Sequence, residues 1–569
     1  MRRNYLRVLA CIAVLSIASC SPEDGKDGIN GSDGKDGING VDGTDGEAAG
    51  STHLILTGGI SNEEAQAKIE AEVGPHTKFV LVRNTSALTS LNITELTELI
   101  DIRIENNSAL TSISFPDTQN IVGSLTISGN SQIKNIVFPK ADNIHNLNLA
   151  NNNSLQKIDW KFFKTFSNIS IAEHENLVSI SFEDLKQPNL AESSKISISA
   201  NENLSNVHFA SLQSMGDFSV TDSTSPIEVS LLSLKESGSI RFYEVPNLSR
   251  FIAPNLVKAE SFNLSRNQAM EGLELDALTE IEYVSFSQNS GLAVLNLPSL
   301  KRVGALHCLA NIGLNQIILP NLETISSSLG SFPLFLCGSA SLQLHNNSEL
   351  HTIEFPKLTT AANTYLSFRY NSLLETIVLN NLSGNVDSIE IIGNNSLESV
   401  EFTKLEQIGS LSIDSNFELD TVNFANLTSQ YGLSANNCVS FPEFSVSFSS
   451  NSEGSLNLPK LESLVTFAYL DFQTMETINL SSLKTFKNLN IKTSSFRVDA
   501  INLESVTSFD ELFIDQVTET VADDILATLA SIEPALQSTS IRILGGFRSD
   551  ASLESRTKLE ANNNFLSFF

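Results

Sequence analysis

LTISGN, Leu125 to Asn130, reads as a short strand ending in an asparagine turn, and the same pattern returns about every 22 residues for most of the chain. It recurs as LNLANN (Leu147 to Asn152), FNLSRN (Phe262 to Asn267) and LSIDSN (Leu411 to Asn416). A second strand signal, L-x-x-I-x-F-P, alternates with it: LTSISFP ends at Pro116, LAVLNLP at Pro298 and LHTIEFP at Pro356. A fixed period in this range is the mark of a stacked repeat, because one such unit cannot bury its own apolar face.

The third residue of the first strand forms a series from Val82 through Ile104, Ile127 and Leu149 to Ile491 and Ile514, nineteen in all. The spacing places Phe448 in this series, followed by Phe472 or its neighbour Leu470. The residue before the proline position runs in step, from Phe115, Phe138 and Trp160 to Leu458 and Leu480. Alternate strand residues face one side, so each turn sends these side chains into a shared core. Stacked at about 4.8 Å per turn, nineteen turns make a rod roughly 90 Å long.

Three places after the first series an asparagine recurs: Asn107, Asn130, Asn152, Asn201, Asn267, Asn289, Asn311, Asn347, Asn371, Asn394, Asn416 and Asn451. His174 and Ser223 fill the slot in two other turns. An amide inside a turn satisfies backbone groups of its own and the adjacent coil, so a structural asparagine ladder is expected, not a ligand grip.

This periodicity resembles the receptor L-domain branch of leucine-rich-repeat proteins, in which N-x-x-L-x-x-I-x-F-P-x-L alternates with L-x-I. The resemblance covers about 450 residues. It implies an all-β solenoid: a right-handed, parallel β-helix-like leucine-rich/receptor L-domain stack of about 19 coils with α/β caps. It implies no particular ligand, since receptors, adhesins and wall proteins share that architecture.

The ends are read separately. Residues 1–19 form an export signal, with Arg2, Arg3 and Arg7 ahead of an apolar run from Val8 to Ile17 that is too short to span a membrane. Ile17-Ala18-Ser19-Cys20 resembles a bacterial lipobox, which implies lipidation at Cys20, and Ser21 in place of Asp after it implies, by the same resemblance, sorting to the outer membrane. Glu23-Asp24 resembles the surface-export signal of Bacteroidota-type lipoproteins. The expected location is therefore a lipid-anchored, outer-membrane, cell-surface position.

Within residues 20–50, glycine falls at every third place from Gly25 to Gly46, a collagen-like spacing without proline. A flexible acidic tether reaching roughly 30 Å is favoured over a trimerising stalk, hence a monomer over a trimer. Residues 51–77 form an N-terminal cap, with Ser61 to Glu64 as a capping box leading a helix that Gly74-Pro75 stops. Residues 78–516 form the repeat, and 517–569 a C-terminal cap with helical spacing from Val521 to Leu536, the strand Ile541 to Leu544 and a last helix near Ala551 to Asn562.

Two turns carry about 13 extra residues. One inserts Ser328 to Gly338, with the apolar Phe332, Leu334, Phe335 and Leu336; the other contains Tyr431, Asn436 and Asn437. Long loops on one edge of a solenoid are common binding places. Each holds one cysteine, Cys337 and Cys438, with roots four turns or roughly 19 Å apart, so either a disulfide or free thiols are open. Cys308 reads as a buried small hydrophobe.

No H-E-x-x-H, G-x-S-x-G, P-loop or zinc-spaced cysteine pair occurs, and no catalytic residue, metal or cofactor is expected. Arg241, Glu354 and Glu401 fall on strands without forming a dense cluster. Sixty-five acids against thirty-five bases give a net charge of −30, which argues against nucleic acid. The reading is a surface binding or adhesion module for an extracellular glycan or protein, with a polysaccharide-active β-helix enzyme or a structural spacer as alternatives.

Overall fold

A computed structural model describes residues 50–188, 194–327, 340–431, 443–448, 455–472, 477–493, 498–545 and 549–568. These residues belong to one compact unit spanning 49–569. It is an all-β parallel solenoid of about 21 turns.

One long sheet of 26 strand segments runs through it, from His53–Gly58 and Phe79–Thr85 to Ser540–Ile543 and Phe565–Phe568. Each strand pairs in parallel with the one a turn later, at single-residue register over most of its length: Ile102 with Leu125, Leu125 with Leu147, Leu147 with Ile169. The second half of each turn contributes strands of three to five residues to smaller parallel sheets, for example Ile158, Ile180 and Val207 in one ladder.

Between the sheets lies the core. Ile104, Ile127, Leu149, Ile171 and their successors are buried, as are Phe115, Phe138, Phe182, Phe209 and the rest of the second series. Where two turns both place phenylalanine before the proline position, the rings stack face to face: Phe115 on Phe138 at 5.0 Å and Phe402 on Phe424 at 5.3 Å. Identical positions one turn apart are held at the strand spacing, which is close to the aromatic stacking distance.

The register corrects one assignment. Ile413 pairs with Val446, Val446 with Leu470 and Leu470 with Ile491, so Val446, not Phe448, holds the core position of its turn, and Leu470, not Phe472, holds the next. Val446 and Phe448 are both buried and lie two residues apart on the same strand side, so periodicity alone does not choose between them.

The turn after each long strand carries a feature that composition hides. The residue before the asparagine slot is left-handed in turn after turn: Asn106, Gly129, Asn151, Glu173, Ala200, Asp222, Glu244, Arg266, Gln288, Ala310, Asn346, Tyr370, Gly393 and Ser415. At Gly129 a Cβ would lie 2.3 Å from Asn106 Oδ1, and at Gly393 it would lie 2.6 Å from the Tyr370 ring, so any other residue there requires those side chains of the previous turn to shift, besides adopting a left-handed φ that favours glycine.

Both caps feed strands into the long sheet. His53–Gly58 pairs with Phe79–Thr85, and helix Asn62–Glu72 between them buries Ala65 and Ile69. Its capping box is formed: Glu64 N–H donates to Ser61 Oγ at 3.3 Å, and Ser61 N–H to Glu64 Oε2 at 2.8 Å. At the far end helix Glu519–Ala530 stops short of Leu536, because Pro534 follows and restricts the residue before it. Strand Ser540–Ile543, helix Leu553–Ala561 and a final strand Phe565–Phe568 close the column. FLSF has no helical or alternating pattern of its own, and its pairing with Ser540–Ile543 creates the strand.

Candidate functional site

The asparagines form the expected ladder. All eleven from Asn107 to Asn416 are buried, and Asn451 lies outside the described residues. Asn130 Nδ2 donates to the Ile104 carbonyl at 2.8 Å, while its Oδ1 accepts from the Asn107 N–H at 3.0 Å. The same arrangement links Asn289, Asn311, Asn347, Asn371, Asn394 and Asn416. His174 keeps the ladder on both sides, its N–H donating to Asn201 Oδ1 at 3.1 Å and its Nε2 lying 3.5 Å from Asn152 Nδ2, and burial holds its imidazole down to about 4.

The loop candidates Phe332, Leu334, Phe335, Leu336, Asn436 and Asn437, the pair Cys337 and Cys438, and Cys20 lie outside the described residues. Their roots are described. The chain leaves the long sheet after Ile325, paired with Val303, and rejoins it with Ser341 opposite Ala305. It does the same after Gln430, paired with Ile408, with Phe444 then opposite Leu411. A third departure follows Pro188, paired with Phe166, before Lys195 pairs with Asn168. All three insertions therefore start mid-strand, at the level where uninterrupted turns show register shifts, as between Leu99 and Asp101 or Ile121 and Ser124. A bulge already breaks the ladder there, so extra chain is accommodated with little loss of pairing.

Cys308 is the free, buried cysteine among the described residues, and burial pushes its thiol up to about 12. Tyr431 stands at the root of the second insertion, half-buried, its hydroxyl donating to Asp387 Oδ1 at 2.8 Å. Burial and that carboxylate push its phenol up.

Between the two roots the outward side of the sheet changes character. From the fourth turn its middle position is Thr126, Asn148, Ser170, Ser197 and Ser219, then Arg241, Asn263 and Ser285. Further on the same ladder reads His307, Gln343, Ser367, Glu390 and Ser412. Two residues earlier on each strand lie Tyr365, Ser388 and Ser410. Ser367, Ser388 and Ser410 are at most 2% exposed although they face outward.

These groups are wired together. His307 Nε2 lies 2.7 Å from Ser341 Oγ and its Nδ1 3.4 Å from the Tyr283 hydroxyl. His345 Nε2 lies 2.8 Å from Ser367 Oγ, which also donates to Glu390 Oε2 at 3.3 Å. Glu390 Oε2 further accepts from the Tyr365 hydroxyl and from Arg369 Nη2. Burial holds both imidazoles down to about 4, with His345 adding to the effect at His307 and Arg369 adding to it at His345. The Tyr365 phenol is pushed up to about 12, first by burial and then by its bond to Glu390. Glu443, one turn beyond Ser410, has its carboxyl raised by burial, with Glu390 and Asp414 adding to the shift.

No family model and no curated protein matches the chain.

Chemically, the patch offers rings, hydroxyls, neutral imidazoles and an ion-paired carboxylate on a flat sheet, a set suited to hydrogen-bonding a polar ligand. Ser367 sits between His345 and Glu390, whereas an activated nucleophile needs the histidine between the hydroxyl and the acid. Arg241 lies on the long sheet while Glu354 and Glu401 share a ladder of a small one, so the structure does not bring those three together. Among the described residues no group of three metal-ligating side chains forms, and no helix is long and apolar enough to cross a membrane.

Sequence reasoning passed over His307, Tyr365, Arg369, Glu390 and Glu443. Reading only the outward positions of TYLSFR and SIEII would have flagged Tyr365, Arg369 and Glu390 as large among small polar neighbours. Their grouping needed the register.

Proposed function

We propose that the chain is a lipid-anchored cell-surface lipoprotein whose solenoid is a binding or adhesion module for glycan or protein ligands. The carrying observation is the Tyr365, Arg369, Glu390 and His345 patch, hydrogen-bonded together on the outward sheet face near the roots of two insertions. Rigid strands hold these side chains in fixed mutual positions, which is what a preorganised polar site requires. The lipobox-like Cys20, the glycine-spaced tether and the net charge of −30 support a tethered extracellular role without nucleic acid.

Glycan arrays and matrix-protein panels probed with the full chain test the reading. Saturable binding, weakened tenfold or more in Tyr365→Ala and Arg369→Ala, is the expected outcome, and equal binding by both variants would remove the patch from consideration. Radiolabelled palmitate incorporation that disappears in Cys20→Ala tests the anchor. The raised Glu443 carboxyl near Glu390 favours one second reading, a polysaccharide-cleaving enzyme. Release of reducing sugars that is lost in Glu443→Gln would establish it in place of the first.

A further inference from the structure

The first three turns carry a second site at the other end of the same sheet face. Their inward residues Leu54, Leu56, Val80, Val82, Ile102 and Ile104 belong to the core. Their outward residues surround a half-open cavity of about 240 Å³.

One wall is aromatic: the His53 and Phe79 rings stack at 4.6 Å, 11° from parallel. The floor is Ile55 and Leu81, register partners at the middle ladder position that later turns give to Thr126, Asn148 and Ser170. Ile55 is left 45% exposed there, a departure from the polar pattern that folding alone does not require. Arg103, the partner of Leu81, closes the floor at the third turn, where its Nε donates to Asp101 Oδ2 at 2.7 Å.

Arg83 and Glu105 stand opposite the rings as register partners on the second and third turns. Among the described residues neither forms an ion pair or a side-chain hydrogen bond, with each other or with a third group. The cavity thus has an apolar floor, a ring wall, and one unengaged charge of each sign side by side.

We propose that this cavity binds a free α-amino acid with an apolar or aromatic side chain. Arg83 takes the carboxylate, for which its planar guanidinium is suited. Glu105 takes the ammonium, and the side chain lies on Ile55 and Leu81 against the rings. The volume sets the scale: it falls below the roughly 300–1,000 Å³ of pockets for drug-sized ligands, so a ligand of about one ring fits and a peptide or oligosaccharide does not. A zwitterion is selected over a simple acid or amine because either alone leaves one charge of the pair facing an unmatched neighbour. The site shares no residue with the patch around Tyr365, so either can fail without the other.

Saturation-transfer NMR and calorimetry on the full chain, with L-phenylalanine, 3-phenylpropionate and phenethylamine as probes, test this. Phenylalanine binds most tightly. Arg83→Ala weakens phenylalanine and phenylpropionate at least tenfold and leaves phenethylamine unchanged, and Glu105→Gln weakens phenylalanine and phenethylamine while sparing phenylpropionate. Both substitutions are on the surface, and unchanged circular dichroism confirms folding. The proposal is overturned if phenylalanine shows no transfer, if both variants bind it as the native chain does, or if Arg83→Ala alone matters, which would mark a simple anion site.

Discussion

Asn289 uses nearly every hydrogen-bonding position it has. Its Oδ1 accepts from the Asn267 N–H at 3.0 Å and from Asn267 Nδ2 at 3.3 Å, and its Nδ2 donates to the Leu264 carbonyl at 2.9 Å and to Asn311 Oδ1 at 3.1 Å. A leucine of similar size would leave the Asn267 N–H and the Leu264 carbonyl buried without partners. At about 1–3 kcal/mol for each stranded group, Asn289→Leu should destabilise the fold by roughly 2–6 kcal/mol. A urea midpoint that does not move would refute that account. The ladder is legible in the sequence because asparagine keeps a constant offset from the core residue. The left-handed residue just before it is not, since Glu173, Ala310 and Tyr370 all occupy that place and no residue type announces it. The stacked backbone imposes the conformation, against a cost of about 1–2 kcal/mol for each non-glycine residue.

At the level of the strand, alternation sorts side chains into core and surface, but the surface set acquires meaning only from its neighbours. His307 faces Tyr283, Ser341 and His345, and His345 faces Ser367, Arg369 and Glu390. Both imidazoles, like that of His174 in the ladder, are held at about 4 against an ordinary 6.5. Between those two values the unfolded chain binds more protons than the folded one, so acidification favours unfolding. Stability from these groups is complete above about pH 6.5 and is lost as pH falls toward about 4. Urea midpoints measured from pH 7.5 to 4 should fall more steeply for the native chain than for a His307→Asn, His345→Asn double variant. Parallel curves would show that these rings titrate normally in the folded protein. The tertiary environment makes this prediction, because nothing in SLQLH or ALHCL signals burial on an outward face.

For the 49–569 unit as a whole, each turn contacts its neighbours and little else, so stability is close to a sum over turns and their interfaces. Removing one complete turn should then be milder than breaking one inside. Ser265 and Ser287 are register partners, so deleting residues 266–287 joins Ser265 to Gln288 in register. The shortened chain should keep its strand circular dichroism, with a denaturant slope about one-twentieth smaller, following the surface lost. Collapse of the sheet signal on this deletion would contradict nearest-neighbour additivity. The sequence alone determined the solenoid, its period, its buried series, the asparagine ladder and the helix-bearing caps, because each is written locally and repeated in turn after turn. Tertiary structure alone decided that Val446 holds a core position, that the insertions leave from mid-strand, and that two distinct polar groupings form on one face. Neighbours on that face lie 22 to 36 residues apart along the chain, as from Glu390 to Ser412 and from His307 to Gln343. Their pairing depends on where each interrupted strand rejoins the ladder, and a repeat pattern carries no record of that.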